Sequence, residues 1–450
     1  MDTGAQLAGQ TVELLQSLIR NRCVNDGSPE SGHETRNVEL LSSFFEGAGI
    51  ALQPYESLPG RGSVVARIEG SDPSAKSVCL MGHLDVVPVN ASGWSQDPFG
   101  GELIDGEVWG RGAVDMLNLT SSMAVAFRHL AKSGFKPKGT LIFLGVADEE
   151  AGGLLGAKWL LDNEYEAVKA DYVLTEFGGL LQSRGDRPVV SIAVGEKGPS
   201  WRRLTVRGEP GHGSMPFGSD NAVVKAAEVV RRLSDYRPRA MMHDLWERQV
   251  ASMNLPDELR DQLLDPERAM DIIGALPPGA ARYFHACTHT TFSPNVAMGG
   301  SKVNVVPDEV RIELDMRTLP GETSEHVEAH LREALGDLYD QIEMEIIVED
   351  AATRSPFDTP MWKVLQEAVQ QEHPGAVLLP SLMTGCTDAR FYRQKGSVAY
   401  GAGLFSKELD TAQFGARFHG HDERIDIRSL DLATQLWLQV AERMLLDPPG

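Results

Sequence analysis

Two hydrophobic patterns alternate along the first 197 residues. Short runs rich in β-branched and aliphatic residues predict strands, and amphipathic stretches between them predict helices. The predicted strands are Ser63–Ile68, Val78–Met81, Thr140–Val146 and Tyr172–Leu174. The predicted helices are Asn37–Glu46, Ser121–Lys132 and Leu155–Leu161. This alternation is typical of an α/β fold with a mostly parallel sheet and helices on both of its faces.

The pattern changes after a turn-rich stretch at residues 195–199. Two segments alternate like half-exposed strands and two have the period of amphipathic helices, in the order Trp201–Arg207, Ala222–Leu233, Val310–Arg317 and Glu325–Leu335. Residues 235–294 show no clear period, and from about residue 356 the α/β pattern returns, ending in a predicted helix at Ser429–Leu445. We therefore predict a core domain of residues 1–197 and 352–450, interrupted by an inserted α+β domain of residues 198–351.

Composition narrows the possible partners and the compartment. The 42 basic and 64 acidic residues give a net charge of −22, which argues against nucleic acid or an anionic membrane as partner. The sequence contains no apolar run long enough to span a membrane, and its N-terminus lacks the pattern of a signal peptide. The four cysteines are scattered without a CxxC pair, which argues against a disulfide framework. These features predict a cytoplasmic protein.

Histidine and aspartate follow the second predicted strand. His83 and Asp85 lie in Gly-His-Leu-Asp-Val-Val-Pro, at the strand end where ligands gather in open α/β sheets. A metal ligand oriented by a nearby carboxylate would fit this spacing, and so would a hydrogen-bonded histidine in a turn. Asp115 closes Gly-Arg-Gly-Ala-Val-Asp, whose glycines indicate a tight turn; the loop lacks the third glycine of a dinucleotide site.

Further acidic and histidine residues follow other predicted strands and loops. Glu149 and Glu150 come after the apolar strand at residues 140–146, Glu176 follows the next strand, and His419 precedes the last helix. Adjacent acids at the end of a buried strand are costly unless a cation lies among them, although a solvated acidic turn is the alternative. Of two neighbouring acids, one can bind metal while the other acts as a base.

Together these positions supply two histidines and three carboxylates as potential ligands. Nitrogen and oxygen ligands of this kind suit zinc, and also cobalt or manganese. Five ligands serve two ions when one carboxylate is shared, as in metal pairs roughly 3.5–4 Å apart. The sequence therefore predicts two divalent metal ions, with zinc preferred.

The motifs His-x-Asp-x-Val-Pro, Gly-x-Gly-x-x-Asp and Glu-Glu occur in this order, and with them the chain resembles one family of metallopeptidases over nearly its whole length. That family includes aminoacylases, acetylornithine deacetylase, succinyl-diaminopimelate desuccinylase and glutamate carboxypeptidase. The long segment at residues 235–294 is closest in style to the carboxypeptidase S-like branch. The resemblance implies that the core domain carries the two metals and that the insert is a lid and dimerisation domain.

The resemblance also implies a role for each residue of the core. Asp115 would bridge the metals, with a cis peptide bond after it, and Glu149 would be the general base that activates a bridging water. Asp85 would orient His83. The four remaining metal ligands would be His83 and Glu176 in one site, and Glu150 and His419 in the other. His419 is preferred to His421 because the family's pattern places an acidic or amide residue three positions, and a glutamate four positions, after the ligand.

For the insert, the resemblance implies contacts with the substrate. His212, between glycines, would reach the active site of a partner subunit and stabilise the oxyanion, which implies a homodimer. Asn304 and Arg317 would hold the carboxylate of the substrate, since the guanidinium fork can pair both carboxylate oxygens. Gly385 and Thr387 would form a turn of the substrate pocket.

The predicted function is cleavage of an amide bond in an N-acyl amino acid or a dipeptide that carries a free carboxylate. Acyl and peptidyl substrates fit the sequence equally well. An aminopeptidase or a small-molecule amidohydrolase acting on a ureido or amide group is the alternative within this fold. A non-catalytic metal-binding scaffold is the alternative from another class, and the complete set of ligands and base argues against it.

Overall fold

The computed structural model describes residues 3–184 and 187–446, within which the chain forms two compact units. The first unit comprises Met1–Val194, Ser355–Ser381 and Thr387–Gly450, and the second Gly195–Arg354 and Leu382–Cys386. The insert expected from the sequence, residues 198–351, falls within the second unit, and its role as a lid and dimerisation domain stays a prediction. None of the helices in the described part of the chain is long and apolar enough to span a membrane.

A mostly parallel sheet forms the centre of the first unit. Its strands are β1 (Leu52–Glu56), β2 (Gly62–Ile68), β3 (Val78–His83), β6 (Leu141–Val146), β7 (Tyr172–Thr175), β8 (Gly178–Arg184), β9 (Arg187–Glu196), β17 (Val377–Met383) and β18 (Val398–Gly401). The last two residues of β9 and the last two of β17 belong to the second unit. Strands β6, β3, β7 and β18 are neighbours in that order and run parallel. Strands β1 and β2 add to the β6 side in antiparallel register. The predicted fold class is confirmed.

Helices cover both faces of this sheet. The helices of the first unit are α1 (Thr3–Arg20), α2 (Thr35–Phe45), α3 (Leu117–Ser133), α4 (Ala157–Asn163), α5 (Tyr165–Val168), α12 (Pro360–Glu372), α13 (Ala389–Gln394), α14 (Thr411–Arg417) and α15 (Ile427–Leu445). Alternate side chains of a strand point to opposite faces. Cys79 and Met81 of β3 therefore pack with α4 and α13, while α3 and α15 contact β3 from the other side.

A small antiparallel sheet in the first unit was not predicted. It consists of β4 (Glu102–Ile104), β5 (Glu107–Trp109) and β19 (Arg424–Asp426), in the order β19-β5-β4. Each strand has three residues, too few to show a period of two in the sequence. The sheet brings the segment that follows His419 next to the segment that precedes Asp115.

The second unit combines an antiparallel sheet with helices. Its strands are β10 (Gly198–Arg207), β11 (Gly211–His212), β12 (Thr291–Gly299), β13 (Val305–Val306), β14 (Glu309–Thr318), β15 (Ile342–Glu349) and β16 (Thr353–Arg354). The order of the main sheet is β12-β14-β10-β15, and β11 pairs with β13. Two helices, α6 (Ala222–Asp235) and α11 (Ser324–Leu335), bury their apolar faces against this sheet.

The segment 235–294, which showed no period, contains four helices. They are α7 (Asp244–Ala251), α8 (Asp257–Leu263), α9 (Ala269–Ile273) and α10 (Pro278–Thr288). They pack around the buried Trp246 with Val250, Leu263 and Ile273. Pro256, Pro266, Pro277 and Pro278 divide the segment into short helices, so no continuous period runs through its sequence and its core became visible only in the structure.

Candidate metal centre

Three neighbouring strands end at the same edge of the parallel sheet. His83 is the last residue of β3, Glu176 directly follows β7, and β6 leads into a loop that contains Glu149 and Glu150. Because β3 lies between β6 and β7, His83 lies between the two acidic segments. Parallel strands thus bring together side chains that are far apart in the sequence.

Asp115 reaches this edge from the start of α3. The hydroxyl of Thr120 in α3 donates to the carbonyl oxygen of His83 at 2.9 Å, which ties the helix to the end of β3. A Cβ atom at position 82 would lie 2.3 Å from this hydroxyl oxygen, so the close approach requires Gly82. The peptide bond between Asp115 and Met116 is cis, as the resemblance implied.

The two oxygens of Asp115 face two different histidines. Its Oδ1 lies 3.2 Å from His83 Nε2, and its Oδ2 lies 3.3 Å from His419 Nε2. On the first side, Glu176 Oε2 lies 3.7 Å from His83 Nε2. On the second side, Glu150 Oε2 lies 3.2 Å from His419 Nε2. The structure therefore forms two groups of three potential ligands that share Asp115.

The electrostatics of this cluster favour positive charge. Hydrogen bonds to Asp115 and Glu150 raise the pKa of His419 to about 10. Burial alone would lower the pKa of His83, but the nearby carboxylates of Asp115, Asp85 and Glu176 raise it well above its ordinary value. Burial and the charge of Asp115 raise the pKa of Glu176. Three carboxylates packed against two imidazoles thus form a site that attracts cations.

The residues present fit a pair of divalent metal ions. Within each group the potential ligand atoms all lie within 4.8 Å of one another. Glu150 Oε1 and Glu176 Oε2 are buried and have no hydrogen-bond partner in the part of the chain that the structure describes. Buried carboxylate oxygens without a partner are unfavourable unless a cation lies against them. Imidazole nitrogens and carboxylate oxygens are donors for zinc, cobalt and manganese.

A family comparison identifies this arrangement. The family model described as peptidase family M20/M25/M40 matches residues 79–443, a stretch that includes all five potential ligands. The chain belongs to peptidase family M20/M25/M40. Enzymes of this family depend on metal ions. This chain is therefore an enzyme of a metallopeptidase family.

The M20 relatives include hydrolases of acyl amino acids and of peptides. The chain is 28% identical to aminoacylase-1 of Sus scrofa over 435 residues, covering 95% of this chain and 94% of the relative. It is 27% identical to the N-fatty-acyl-amino acid synthase/hydrolase PM20D1 of Xenopus tropicalis over 463 residues, covering 98% and 87%. Both similarities extend over nearly the whole of this chain.

Solved M20 structures share the fold. The metallo-carboxypeptidase Sso-CP2 from Sulfolobus solfataricus has a TM-score of 0.72 and 18% identity, with 98% of this chain and 99% of that chain covered. The di-peptidase Dug1p from Saccharomyces cerevisiae has a TM-score of 0.68 and 17% identity, with 97% of each chain covered. At these identities the similarity concerns the fold alone.

Glu149 and Asp85 lie beside the potential ligands. Glu149 begins a short 3-10 helix, one residue before Glu150, and burial together with the charge of Glu176 raises its pKa well above the ordinary value. His83 Nδ1 lies 2.9 Å from the carbonyl oxygen of Asp85 and 3.5 Å from its Oδ1. The main chain of Asp85 thus makes the shorter contact with the imidazole.

The other predicted site residues are divided between the units. Thr387 is buried in the first unit, where its hydroxyl accepts from the backbone N–H of Ala389 at 3.1 Å. His212, Asn304, Arg317 and Gly385 belong to the second unit. His212 and Asn304 are exposed, and the carbonyl oxygen of Asn304 accepts from the N–H of Gly213 at 2.8 Å.

Arg317 is already engaged within the second unit. Its Nε donates to Asp315 Oδ1 at 2.8 Å and its Nη2 to Asp315 Oδ2 at 3.2 Å. Its Nη1 lies 3.6 Å from the sulfur of Cys386. The Nε–Nη2 edge of the guanidinium therefore faces Asp315, and Nη1, which contacts Cys386, is the nitrogen that does not bond to Asp315.

No role was predicted from the sequence for Glu423, although this residue lies four positions after His419 in the same motif. Its buried Oε1 accepts from the backbone N–H groups of Gly112, Val114 and Asp115, at 3.1, 2.6 and 3.1 Å. Its Oε2 accepts from Arg111 Nη1 at 2.6 Å, and Arg111 Nη2 also donates to the carbonyl oxygen of His419 at 3.3 Å. Glu423 and Arg111 therefore fix the loops that carry two ligands.

Two further histidine motifs lie outside the cluster. His421 packs against Gly93, where a Cβ atom would meet its ring at 2.3 Å. In the second unit, His285 and His289 stack with ring centroids 4.3 Å apart, but they are not part of a group of three potential ligands among the described residues. The structure thus places His419, rather than these histidines, beside Asp115.

Proposed function

We propose that this M20 enzyme is a di-metal hydrolase, with zinc as its metal, that cleaves the amide bond of an N-acyl amino acid or a dipeptide with a free carboxylate. The observation that carries the proposal is the position of Asp115, whose two oxygens lie 3.2 and 3.3 Å from the Nε2 atoms of His83 and His419. Cobalt and manganese share this donor chemistry and are the alternatives to zinc. The acyl-amino-acid hydrolases among the relatives support the N-acyl amino acid as substrate.

The residues of the first unit would hold the metals and move one proton. His83, Glu176 and Asp115 would bind one ion, and Asp115, Glu150 and His419 the other. When bound, such a pair polarises a carbonyl group and lowers the pKa of water. Glu149 would take a proton from the attacking water and deliver it to the leaving amine. The Asp85 main chain, 2.9 Å from His83 Nδ1, would keep the other ring nitrogen directed at the cluster.

The second unit would supply groups that recognise the substrate. Arg317, through Nη1, and the Asn304 amide would bind the substrate carboxylate, and Gly385 with Thr387 of the first unit would line the substrate pocket. A fixed positive charge that pairs the carboxylate would orient the amide bond before reaction. This requirement distinguishes the proposed activity from that of an aminopeptidase, which must recognise an amine.

We further propose that two copies of the chain associate through the second unit, with His212 acting in the partner's site. The structure supports this with exposed apolar side chains around His212: Met215 is 72% exposed, and Phe217 and Val303 are more fully exposed still. Apolar side chains gathered on a surface mark an interaction site. We also propose that the protein is cytoplasmic, as the scattered spacing of its four cysteines in the sequence suggests.

Removing the metals tests the reaction class. Chelator-treated protein is expected to lose hydrolysis of N-acyl amino acids and dipeptides, and to regain it when zinc, cobalt or manganese is added. Substrates whose carboxylate is amidated should be turned over at least about tenfold more slowly, because they lose a charged hydrogen-bonded pair. Activity that survives complete removal of metal, or that ignores the carboxylate, would contradict the proposal.

Mixed dimers test the partner role of His212. Chains carrying His212→Ala are combined with chains carrying Glu149→Ala, each variant being inactive by itself. In a mixed dimer, the site of the His212→Ala chain keeps its own Glu149 and receives His212 from the partner. The other site lacks both residues. We expect about half of the wild-type activity per mixed dimer, since oxyanion donors act only where they reach the reacting atoms. As a control, a chain that carries both substitutions is combined with wild-type chains. In that mixed dimer neither site is intact, because one lacks Glu149 and the other lacks His212 from its partner. Mixed dimers without activity would show that His212 acts in its own subunit.

A further inference from the structure

A buried polar network lies directly beneath the loop that carries Glu149. Its members are Asn25, Glu34, Arg61, Asp85 and Asp148, which are all at most 4% exposed and all belong to the first unit. One guanidinium is packed here among three carboxylates. Ion pairs of this kind contribute little net stability, because desolvation offsets the attraction between the charges. Net stability therefore does not explain why these charged side chains are buried together.

Arg61 and Glu34 hold one side of Asp148. Arg61 donates from Nε and Nη2 to both oxygens of Glu34, at 3.0 and 2.8 Å. Arg61 Nη2 also donates to Asp148 Oδ1 at 2.8 Å, and the backbone N–H of Asp148 donates to Glu34 Oε1 at 3.2 Å. Both the main chain and the side chain of Asp148 are thus fixed by one ion pair.

Asn25 links the other side of Asp148 to Asp85. Its Nδ2 donates to Asp85 Oδ2 at 2.8 Å and lies 3.4 Å from Asp148 Oδ1. Asp85 Oδ2 also accepts from the backbone N–H of Glu150 at 3.2 Å. A single amide group therefore connects the loop of the base to the residue whose main chain contacts the His83 imidazole.

The loop needs such support because its backbone is unusual. Asp148 has a φ of 71°, in the left-handed region that residues with a side chain seldom occupy, and Gly152 and Gly153 follow with φ of 104° and 69°. Such conformations persist only where surrounding contacts impose them. Glu149 follows Asp148 directly, so the direction of its side chain depends on the turn that the network fixes.

We infer that Asn25 and Arg61 are positioning residues for the general base, because together they hold Asp148 in the turn that presents Glu149 to the reacting water. This rests on the role proposed above for Glu149. Both residues are buried and contact Asp148 Oδ1, through which they act. Loss of either contact lets the loop move, and a displacement of about 1 Å at a reacting group can cost about 100-fold in rate.

The test compares Asn25→Ala and Arg61→Lys with the wild type and with Thr434→Ala. Thr434 is buried in α15 of the same unit, and its hydroxyl lies 2.9 Å from that of Thr11, so its loss removes a buried hydrogen bond without touching the loop. Lysine at position 61 keeps the charge but cannot reproduce the guanidinium fork. The measurements are kcat, KM, bound metal, and amide hydrogen exchange of residues 147–153.

For Asn25→Ala and Arg61→Lys we expect kcat to fall about 10- to 100-fold, with KM within about threefold and metal content unchanged. Exchange of the loop amides should rise at least about tenfold in these variants and not in Thr434→Ala. The double variant should be little worse than the poorer single variant, because both substitutions act on the same oxygen.

Three results would overturn the inference. The first is a kcat like that of Thr434→Ala in either variant that folds; the second is a loss of activity that follows a loss of metal; the third is unchanged exchange of the loop amides. If Asn25→Ala does not fold, Arg61→Lys provides the same measurements. If the wild type hydrolyses no amide, the proposed function fails, and hydrogen exchange still decides whether the network fixes the loop.

Discussion

Replacing Glu149 with glutamine lowers kcat by about 100- to 10,000-fold and leaves the metal content of the protein unchanged. The amide keeps the size of the carboxylate but cannot accept a proton, and general bases contribute rate factors of this order. The metal should stay because Glu150, which faces His419 Nε2 at 3.2 Å, is intact. The measurement is kcat at saturating substrate together with the metal content of the same sample.

The matched control for this experiment is Glu166→Gln. Glu166 is a glutamate of the same unit whose side chain is 80% exposed and pairs with Lys169, at 2.6 Å, on the protein surface. Surface pairs of this kind contribute little, so the control should behave like the wild type. If the kcat of Glu149→Gln were within about tenfold of the control, Glu149 would not be the general base, since even a weak general base contributes more to the rate.

Asp115→Asn should abolish activity by a different route, through the loss of metal. Asp115 belongs to both groups of potential ligands, so its substitution affects the two sites together. An asparagine of the same size offers one oxygen in place of two and carries no charge, so one imidazole would face an amide nitrogen. Substitutions outside the ligand shell already cost about 10- to 100-fold in metal affinity, and loss of the shared ligand should exceed this.

The measurement is metal affinity by competition with a chelator, followed by activity at saturating metal. Asp97→Asn is the control, because the side chain of Asp97 is 53% exposed and its nearest cation, Arg22, lies 3.7 Å away. Retention of two ions per chain at wild-type affinity in Asp115→Asn would show that Asp115 does not bridge the sites. Metal loss limited to one ion would assign Asp115 to a single site.

Glu149→Gln and Asp115→Asn should give proteins with different metal contents, and this difference distinguishes a general base from a metal ligand. A missing base should give a metal-loaded protein that binds substrate and does not turn it over. A missing shared ligand should give a protein without metal, in which Glu150 and Glu176 lack their cations and the free energy of unfolding changes with them. The same pattern of results would exclude a non-catalytic scaffold, for which neither change would alter a reaction.

The positions of the potential ligands could be predicted from the sequence because each one follows a local signal. His83, Glu150 and Glu176 come after apolar strands, and parallel strands bring their ends to one edge of the sheet. The structure places all of them with Asp115 and His419, within two groups of potential ligands. The order of helices and strands in the core was likewise visible, since its elements are long enough to show their periods.

The contacts that hold these ligands could not be predicted in the same way. Arg61 meets Glu34 across 27 positions and Asp148 across 87, and Glu423 meets the Asp115 loop across more than 300. No period or motif connects such positions, because the pairing depends on how the strands and loops pack. The four helices between residues 235 and 294 could not be predicted for a related reason: prolines interrupt the segment, and the helices are held by packing around Trp246.

The sequence by itself thus determined the fold class, the family and the chemistry that five positions can supply, because these follow from residue types at the ends of predicted strands. Only the tertiary structure decided that both oxygens of Asp115 face histidines, that Arg317 already pairs with Asp315, and that Asn25 joins Asp85 to Asp148. Hydrogen bonds and ion pairs act over about 3 Å, and distances of that size between remote residues are set by packing of the whole unit.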